Sequence, residues 1–268
     1  MRTLFKVGIS LLLLAFVLIG VAVGMLRAQG ISHPFSAAGR LPGSQLRTVG
    51  QGIIAIELSG PIDLSVRQGA TASLTVSGEQ RLLANVDTSE EGNTLHIGTK
   101  GMLFHHRLPL RVDLVLPALQ ALEVNGNGDS AVKGFSGERF KLQLYGTGDV
   151  KFNGRFRQLS GAVHGSGDLN LNGGDSDSVM LDMTGSGTIT ASGSSKLLQA
   201  RLSGSGDLDA RHLASGKVSL DVHGSGTATV FASDEADLNL RGSGDIHVHG
   251  SPARRHVSRN GSGDVSWD

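Results

Sequence analysis

The stretch HGSGDLNL, residues 164–171, decides the fold, because near copies of its Gly-Ser-Gly-Asp core recur through half of the chain. The first glycine of each copy falls at Gly126, Gly146, Gly165, Gly185, Gly204, Gly224, Gly242 and Gly261. Successive spacings are 20, 19, 20, 19, 20, 18 and 19 residues. A fixed period of this length marks a repeat architecture, with one repeat forming one coil. Apolar residues stand six, four and two positions before the glycine, as at Phe140, Leu142 and Leu144, at Val179, Leu181 and Met183, and at Val218, Leu220 and Val222. The same parity continues beyond the motif at Val150 and Phe152, Leu169 and Leu171, and Ile246 and Val248. Strict alternation over these lengths is a strand pattern.

Both motif glycines share the inward parity, where a missing side chain lets the strand bend and another backbone come close. The serine and aspartate between and after them point outward. A second glycine punctuation follows in most coils, at Gly134, Gly154, Gly173, Gly193 and Gly250, where the chain turns to its next side. About twenty residues at ~3.3 Å each make a circuit of roughly 65 Å, and eight circuits stacked at ~4.8 Å rise roughly 38 Å. These dimensions predict an all-β protein, a parallel β-helix or β-solenoid of 19–20 residues per coil. A lone coil cannot offset the entropy of ordering its backbone, so hydrogen-bonded stacking is required.

The pattern begins before the clean repeats. In IIAIELSGPIDLSV, residues 53–66, Ile54, Ile56 and Leu58 precede Gly60, and Leu64 and Val66 follow it. TASLTVSG repeats the first half around Gly78. Residues 50–125 are therefore expected to be irregular coils of the same domain, interrupted by GTKGMLFHHRLPL (98–110), and residues 126–268 its regular coils. At the far end Arg255 and Arg259 stand where other coils are apolar, which suits a terminal coil, and Trp267 is placed to cover the end of the core.

Composition agrees with this reading. Thirty-nine glycines beside one Trp and one Tyr exclude an ordinary aromatic core, while 39 % hydrophobic residues are too many for a disordered chain. Lys plus Arg equals Asp plus Glu at 24 each, so no charge excess recruits nucleic acid. The absence of cysteine removes disulfides, thiolate metal sites and a lipoprotein anchor.

The N-terminus has a different purpose. Arg2 and Lys6 precede twenty uncharged, mostly apolar residues, Val7 to Leu26, which Arg27 closes. This is an export segment. Its length matches a ~30 Å hydrocarbon core at ~1.5 Å per residue, as a membrane anchor requires, and Ala22 and Gly24 offer the small residues of a cleavable signal. The expected organisation is a signal peptide or anchor at 1–28, a linker at 29–49 and the solenoid at 50–268. It places the protein outside the cytoplasm, in the periplasm or at the cell surface, held in the inner membrane if the segment is retained.

The export segment, the irregular β region ending in VDLVLPALQALEVNGNGD (112–129) and the eight periodic motifs together resemble the putative auto-transporter adhesin family with a head GIN domain. The resemblance covers residues 50–268. It implies a right-handed parallel β-helix in a bacterial cell envelope, the hand that is also the physical default. It carries over no catalytic residues, and the word adhesin in the family's name is itself an analogy.

Asp129, Asp149, Asp168, Asp207, Asp245 and Asp264 form one outward row, the candidate binding ladder. Stacked carboxylates suggest calcium, which takes six to eight oxygens. Thr188 and Thr227 break the row where a uniform calcium ladder needs a carboxylate, however, and favour local hydrogen bonding by the side chain. An acid pair acting on a polysaccharide is the enzymatic alternative, but an active site needs a local exception to the repeat, and the row is uniform. His247 and His249, with His223 one coil away, are the best such exception for zinc or nickel, and lack a defined third ligand. His105 and His106 carry less weight. No phosphate loop leads into a helix, so the glycines are no nucleotide fingerprint. The sequence thus points to a non-enzymatic envelope module for binding, adhesion or scaffolding, without metal or cofactor, whose partner is an envelope protein or glycan. A carbohydrate-active β-helix enzyme is the alternative.

Overall fold

The computed structural model describes residues 41–101 and 108–268, which build an all-β solenoid of about seven turns. The predicted export segment, most of the predicted linker and the His105–His106 pair lie outside the described residues. Among the described residues no helix is long and apolar enough to cross a membrane.

The first element described is β1 (Pro42–Arg47), inside the stretch the sequence reads as linker, followed by β2 (Ala55–Ser59), β3 (Ile62–Gln68) and β4 (Ser73–Glu79). A 3-10 turn, Gln80–Asn85, leads to β5 (Val86–Glu91), β6 (Thr94–Thr99), β7 (Leu110–Leu116) and β8 (Ala121–Gly126). The regular coils are single long, bent strands: β9 (Ser130–Gly146), β10 (Val150–Gly165), β11 (Leu169–Gly185), β12 (Thr188–Gly204), β13 (Asp207–Gly224) and β14 (Thr227–Gly242). The chain ends in β15 (Asp245–His249), β16 (Arg254–Gly261) and β17 (Val265–Trp267).

Each coil pairs in parallel with the next, and the motif sets the register: Gly146 lies beside Gly165, Gly165 beside Gly185, and so on to Gly261. Two sides of every coil meet at the motif, a first face before the bend and a second face after it. The inward rows on both are buried, among them Leu144, Val163, Val222, Val150, Leu171 and Val248. The reason for glycine is visible at Gly185, where φ is +134° and a Cβ would run into the carbonyl oxygen of Gly165 in the neighbouring coil. At Gly187 the φ is permissive, but a Cβ would meet the Gly167 carbonyl oxygen in the same way. The backbones at the bend thus stack in direct contact, and only glycine leaves the room.

The irregular region does not stack in chain order. β2 lies between β6 and β8, and β3 lies between β7 and β9. Residues 50–125 are therefore not successive coils. The chain makes β2 and β3, leaves the stack, builds the outermost coil from β6 and β7, and returns to lay β8 on the opposite edge of β2. The excursion also closes the solenoid. β4 and β5 run antiparallel to β7 and β6, β1 runs antiparallel to β4, and the 3-10 turn inserts Leu82 and Leu83 into the end of the core. A parallel stack left open would expose its apolar core, and this cap covers that end of it.

On the third side, oppositely charged residues alternate from coil to coil: Glu138, Arg157, Asp177 and Lys196, and then Lys217, Glu235 and Arg254. Lys196 and Arg157 hold the Asp177 carboxyl below its ordinary range by hydrogen bonding and charge, as Arg254 and Lys217 do for Glu235. At the C-terminal end Trp267 is half-buried against the core, with the Arg255 guanidinium 4.5 Å over its ring.

Candidate functional site

The aspartate row runs along the start of the second face, and its carboxylates are engaged. Asp129 Oδ1 accepts the N–H of Asp149 at 3.3 Å, Asp168 Oδ1 that of Thr188 at 2.9 Å, and Asp207 Oδ1 that of Thr227 at 2.8 Å. Asp245 Oδ1 accepts the N–H of Asp264 at 3.0 Å. Each of these four carboxylates reaches the backbone of the same position one coil on, stitching neighbouring bends together, while Asp264 on the last coil pairs with Arg259 at 3.1 Å. The threonine interruptions follow from this arrangement. The coil after Thr188 turns its Asp207 N–H to the Gly187 carbonyl at 3.0 Å, and the coil after Thr227 turns its Asp245 N–H to the Gly226 carbonyl at 3.3 Å. The stack tolerates the loss of a carboxylate because a backbone acceptor stands behind it.

The row starts one coil earlier than the sequence reading has it. Asp63 Oδ1 accepts the Asp129 N–H at 3.2 Å. Gly60-Pro61-Ile62-Asp63 is a degenerate copy of the motif, with Ile62 in the second glycine's place. The signal was the spacing, an aspartate three residues after an in-phase glycine.

The histidines do not form a centre. His247 Nδ1 lies 2.6 Å from Ser266 Oγ, and His249 Nδ1 lies 3.1 Å from Asp268 Oδ2. His223 belongs to the first face, before the bend, and so stands apart from both. Among the described residues no three His, Asp or Glu side chains form a group able to hold a metal ion.

Asp168→Asn is expected to leave the melting temperature nearly unchanged, since an amide oxygen accepts the same bond, while Asp168→Ala loses about 1 kcal/mol. A chelator is expected to change nothing in thermal unfolding. A calcium-reversible drop would instead make the row a cation ladder.

The local exception to the repeat lies on the first face. Its outward rows are mostly short polar side chains, but Met180 is 53 % exposed where Lys141, Ser160, Gln199 and Ser219 occupy the equivalent positions. Beside it lies a shallow groove over the buried Phe140 and Leu159, flanked by Arg139 and Lys141. Two rows away Tyr145 stacks on His164 of the next coil at 4.9 Å and 14°, and Gln143 Nε2 donates to the Tyr145 hydroxyl at 2.9 Å. On the other side of Met180, Arg201 stands in register between Asp182 and Asp221. The face is thus a rigid parallel sheet carrying one apolar groove with charged flanks. Such a surface recognises a partner by shape, apolar contact and paired polar groups. Tyr145 and Met180 were detectable in the sequence as large side chains at outward parity.

A family model described as "Putative auto-transporter adhesin, head GIN domain" matches residues 54–252. Among solved structures, a putative adhesin from Parabacteroides distasonis ATCC 8503 is 26 % identical with a TM-score of 0.80, the match covering 86 % of this chain and 98 % of that one. A putative lipid binding protein from the same organism is 22 % identical at TM-score 0.78, covering 85 % and 96 %. A putative adhesin from Parabacteroides merdae ATCC 43184 is 21 % identical at TM-score 0.79, with the same coverage. No curated protein matches the chain.

Proposed function

The chain belongs to the family of the putative auto-transporter adhesin, head GIN domain, and from that premise we propose that it is a non-enzymatic binding module of the cell envelope. The apolar run Val7–Leu26 exports it, and the solenoid stands outside the cytoplasm. Its first face holds an envelope protein through the groove beside Met180. The observation that carries this reading is the exposure of Met180 over an apolar groove, where the adjacent coils carry Ser160 and Gln199 at the equivalent positions. Tyr145 is the only tyrosine of the chain, and the single Trp lies at the solenoid's end, so a protein partner suits the face better than a glycan that needs rings to stack on. The commitment of the aspartate row to backbone amides favours a scaffold over a polysaccharide-cleaving enzyme, which needs one carboxyl free as acid and another as base or nucleophile.

The test is co-sedimentation of the protein with envelope fragments of its own cell. Met180→Asp combined with Tyr145→Ala is expected to weaken binding about tenfold or more, as loss of apolar anchors does at an interface centre. Asp207→Asn, on the other face, is expected to bind as the wild type does. Equal binding by all three proteins would overturn the assignment of this face.

A further inference from the structure

The two ends of the solenoid differ in charge, and both leave strand edges unpaired. Among the described residues β5 pairs only with β6, and β16 only with β14. Both strands border the first face, one at each end. β5, VDTSEE, has three acidic residues and no basic one, whereas β16, RRHVSRNG, has three arginines, a histidine and no acid. Several of these charges also have a partner within the chain, Asp87 with Lys100 at 2.9 Å, Glu91 with His96 at 3.8 Å, Arg254 with Glu235 at 2.9 Å and Arg259 with Asp264 at 3.1 Å, but the Glu91 side chain stays 89 % exposed and that of Arg254 68 %.

Exposed apolar surface is concentrated at the same places. Of the five large hydrophobic residues exposed among the described residues, Leu41, Leu46 and Leu108 lie at the capped end and Val257 on β16, which leaves only Met180 between the ends. At the capped end a groove runs between β1, the 3-10 turn and β5, with Leu46 and Asp87 among its lining. At the other end every residue of β16 is exposed, and Val257 and the half-buried Trp267 lie over the last core layer.

We propose that the protein associates head to tail with a second copy of itself, the basic edge of β16 adding to the acidic edge of β5 of the next molecule. The directions agree. All first-face strands from β6 to β16 run parallel and β5 runs opposite to β6, so with solenoid axes in line β16 meets β5 as an antiparallel pair. Followed strand by strand from β6, the sheet register carries Thr94 to His256, and Glu91 faces Thr94, so straight stacking sets Ser258 opposite Ser89. Charge excludes the symmetric alternatives, because β16 against β16 and β5 against β5 each oppose like charges. The remaining interface is heterologous and does not close on itself, so the product is a linear stack rather than a dimer.

The chain has no cysteine, which makes the test direct. Full-length protein carrying Ser89→Cys and Ser258→Cys together, in detergent and treated with a short thiol-specific cross-linker, is expected to give a ladder of multimers. Either single variant is expected to give no cross-linked product. Ser258 is exposed and outward, so Ser258→Glu and Ser258→Lys both keep the fold. In sedimentation, Glu is expected to weaken association about tenfold and Lys to preserve it, with higher salt weakening the wild type. A double-cysteine protein that stays monomeric at high concentration, dimers from a single-cysteine variant, or equal association by the Glu and Lys variants would each overturn the proposal.

Discussion

Gly185→Val is expected to unfold the middle of the solenoid, with a loss of about 4 kcal/mol or more and a fall in melting temperature on the order of 10 °C. Two costs add. The residue sits at φ +134°, a region closed to a β-branched side chain, and its Cβ would occupy the space of the Gly165 carbonyl oxygen. That oxygen is an acceptor of the stack, taking the Ser186 N–H at 2.9 Å, and Gly185 in turn receives the Ser205 N–H at 3.0 Å. Relieving the collision means separating three coils where their backbones touch. Ser186→Val, one residue on, projects into solvent and is expected to change stability by about 0.5 kcal/mol. Thermal unfolding of the two variants side by side checks the inward and outward assignment, and equal losses would refute it.

How much of the fold the sequence discloses depends on what each signal encodes. Alternation encodes which face of a strand is buried, and it assigned the inward rows of β9 to β14 because every coil repeats the same parity. It does not encode which strand lies alongside. β2 has the pattern of any coil, and both of its edges are used, by β6 on one side and β8 on the other. No local feature of IIAIELSG says that the strand following it in the stack is made 66 residues later, Ala55 lying beside Ala121. TASLTVSG has the apolar spacing of half a coil, yet β4 runs antiparallel to β7, because direction is set by where the chain re-enters and not by side-chain parity. PGSQLR offered no run of apolar residues, and β1 is recruited as an edge strand whose Arg47 reaches the Leu83 and Val86 carbonyls, each at 2.7 Å.

The candidate site was legible to a similar degree. The aspartate row follows from the period alone. Its engagement with the backbone does not, since it depends on the rise between coils bringing the carboxylates of Asp129, Asp168, Asp207 and Asp245 within reach of the next N–H. The reverse holds for Met180, whose outward parity was plain in the sequence but meant little until its neighbours on adjacent coils proved to be short or polar.

Composition gave a third partial answer, since few aromatic residues are present but they are not dispersed. Phe135, Phe140, Phe152 and Phe156 are all buried within two adjacent coils. Phe140 stacks on Phe152 with centroids 4.5 Å apart at 27°, and meets Phe156 at 5.1 Å. Glycines make room for the rings. A Cβ at Gly154 would come within 2.7 Å of Phe152 Cζ, and one at Gly137 would lie 3.0 Å from Phe156 Cε1. Phe140→Ala is therefore expected to cost about 3–5 kcal/mol, since it removes the ring that both Phe152 and Phe156 pack on. Phe140→Leu, which keeps most of the volume, is expected to cost less than half as much. Urea unfolding measures both, and a loss under about 1.5 kcal/mol for the alanine variant would show that the cluster collapses freely. The pairing of ring and glycine has its own test in a double-mutant cycle. Gly137→Ala presses on Phe156 and destabilises the wild type, but in a Phe156→Leu background the ring edge it would meet is gone. The second substitution should then cost little or recover part of the first, giving a coupling of about 1 kcal/mol, whereas additive losses would mean that Gly137 is glycine for a reason unconnected with the ring.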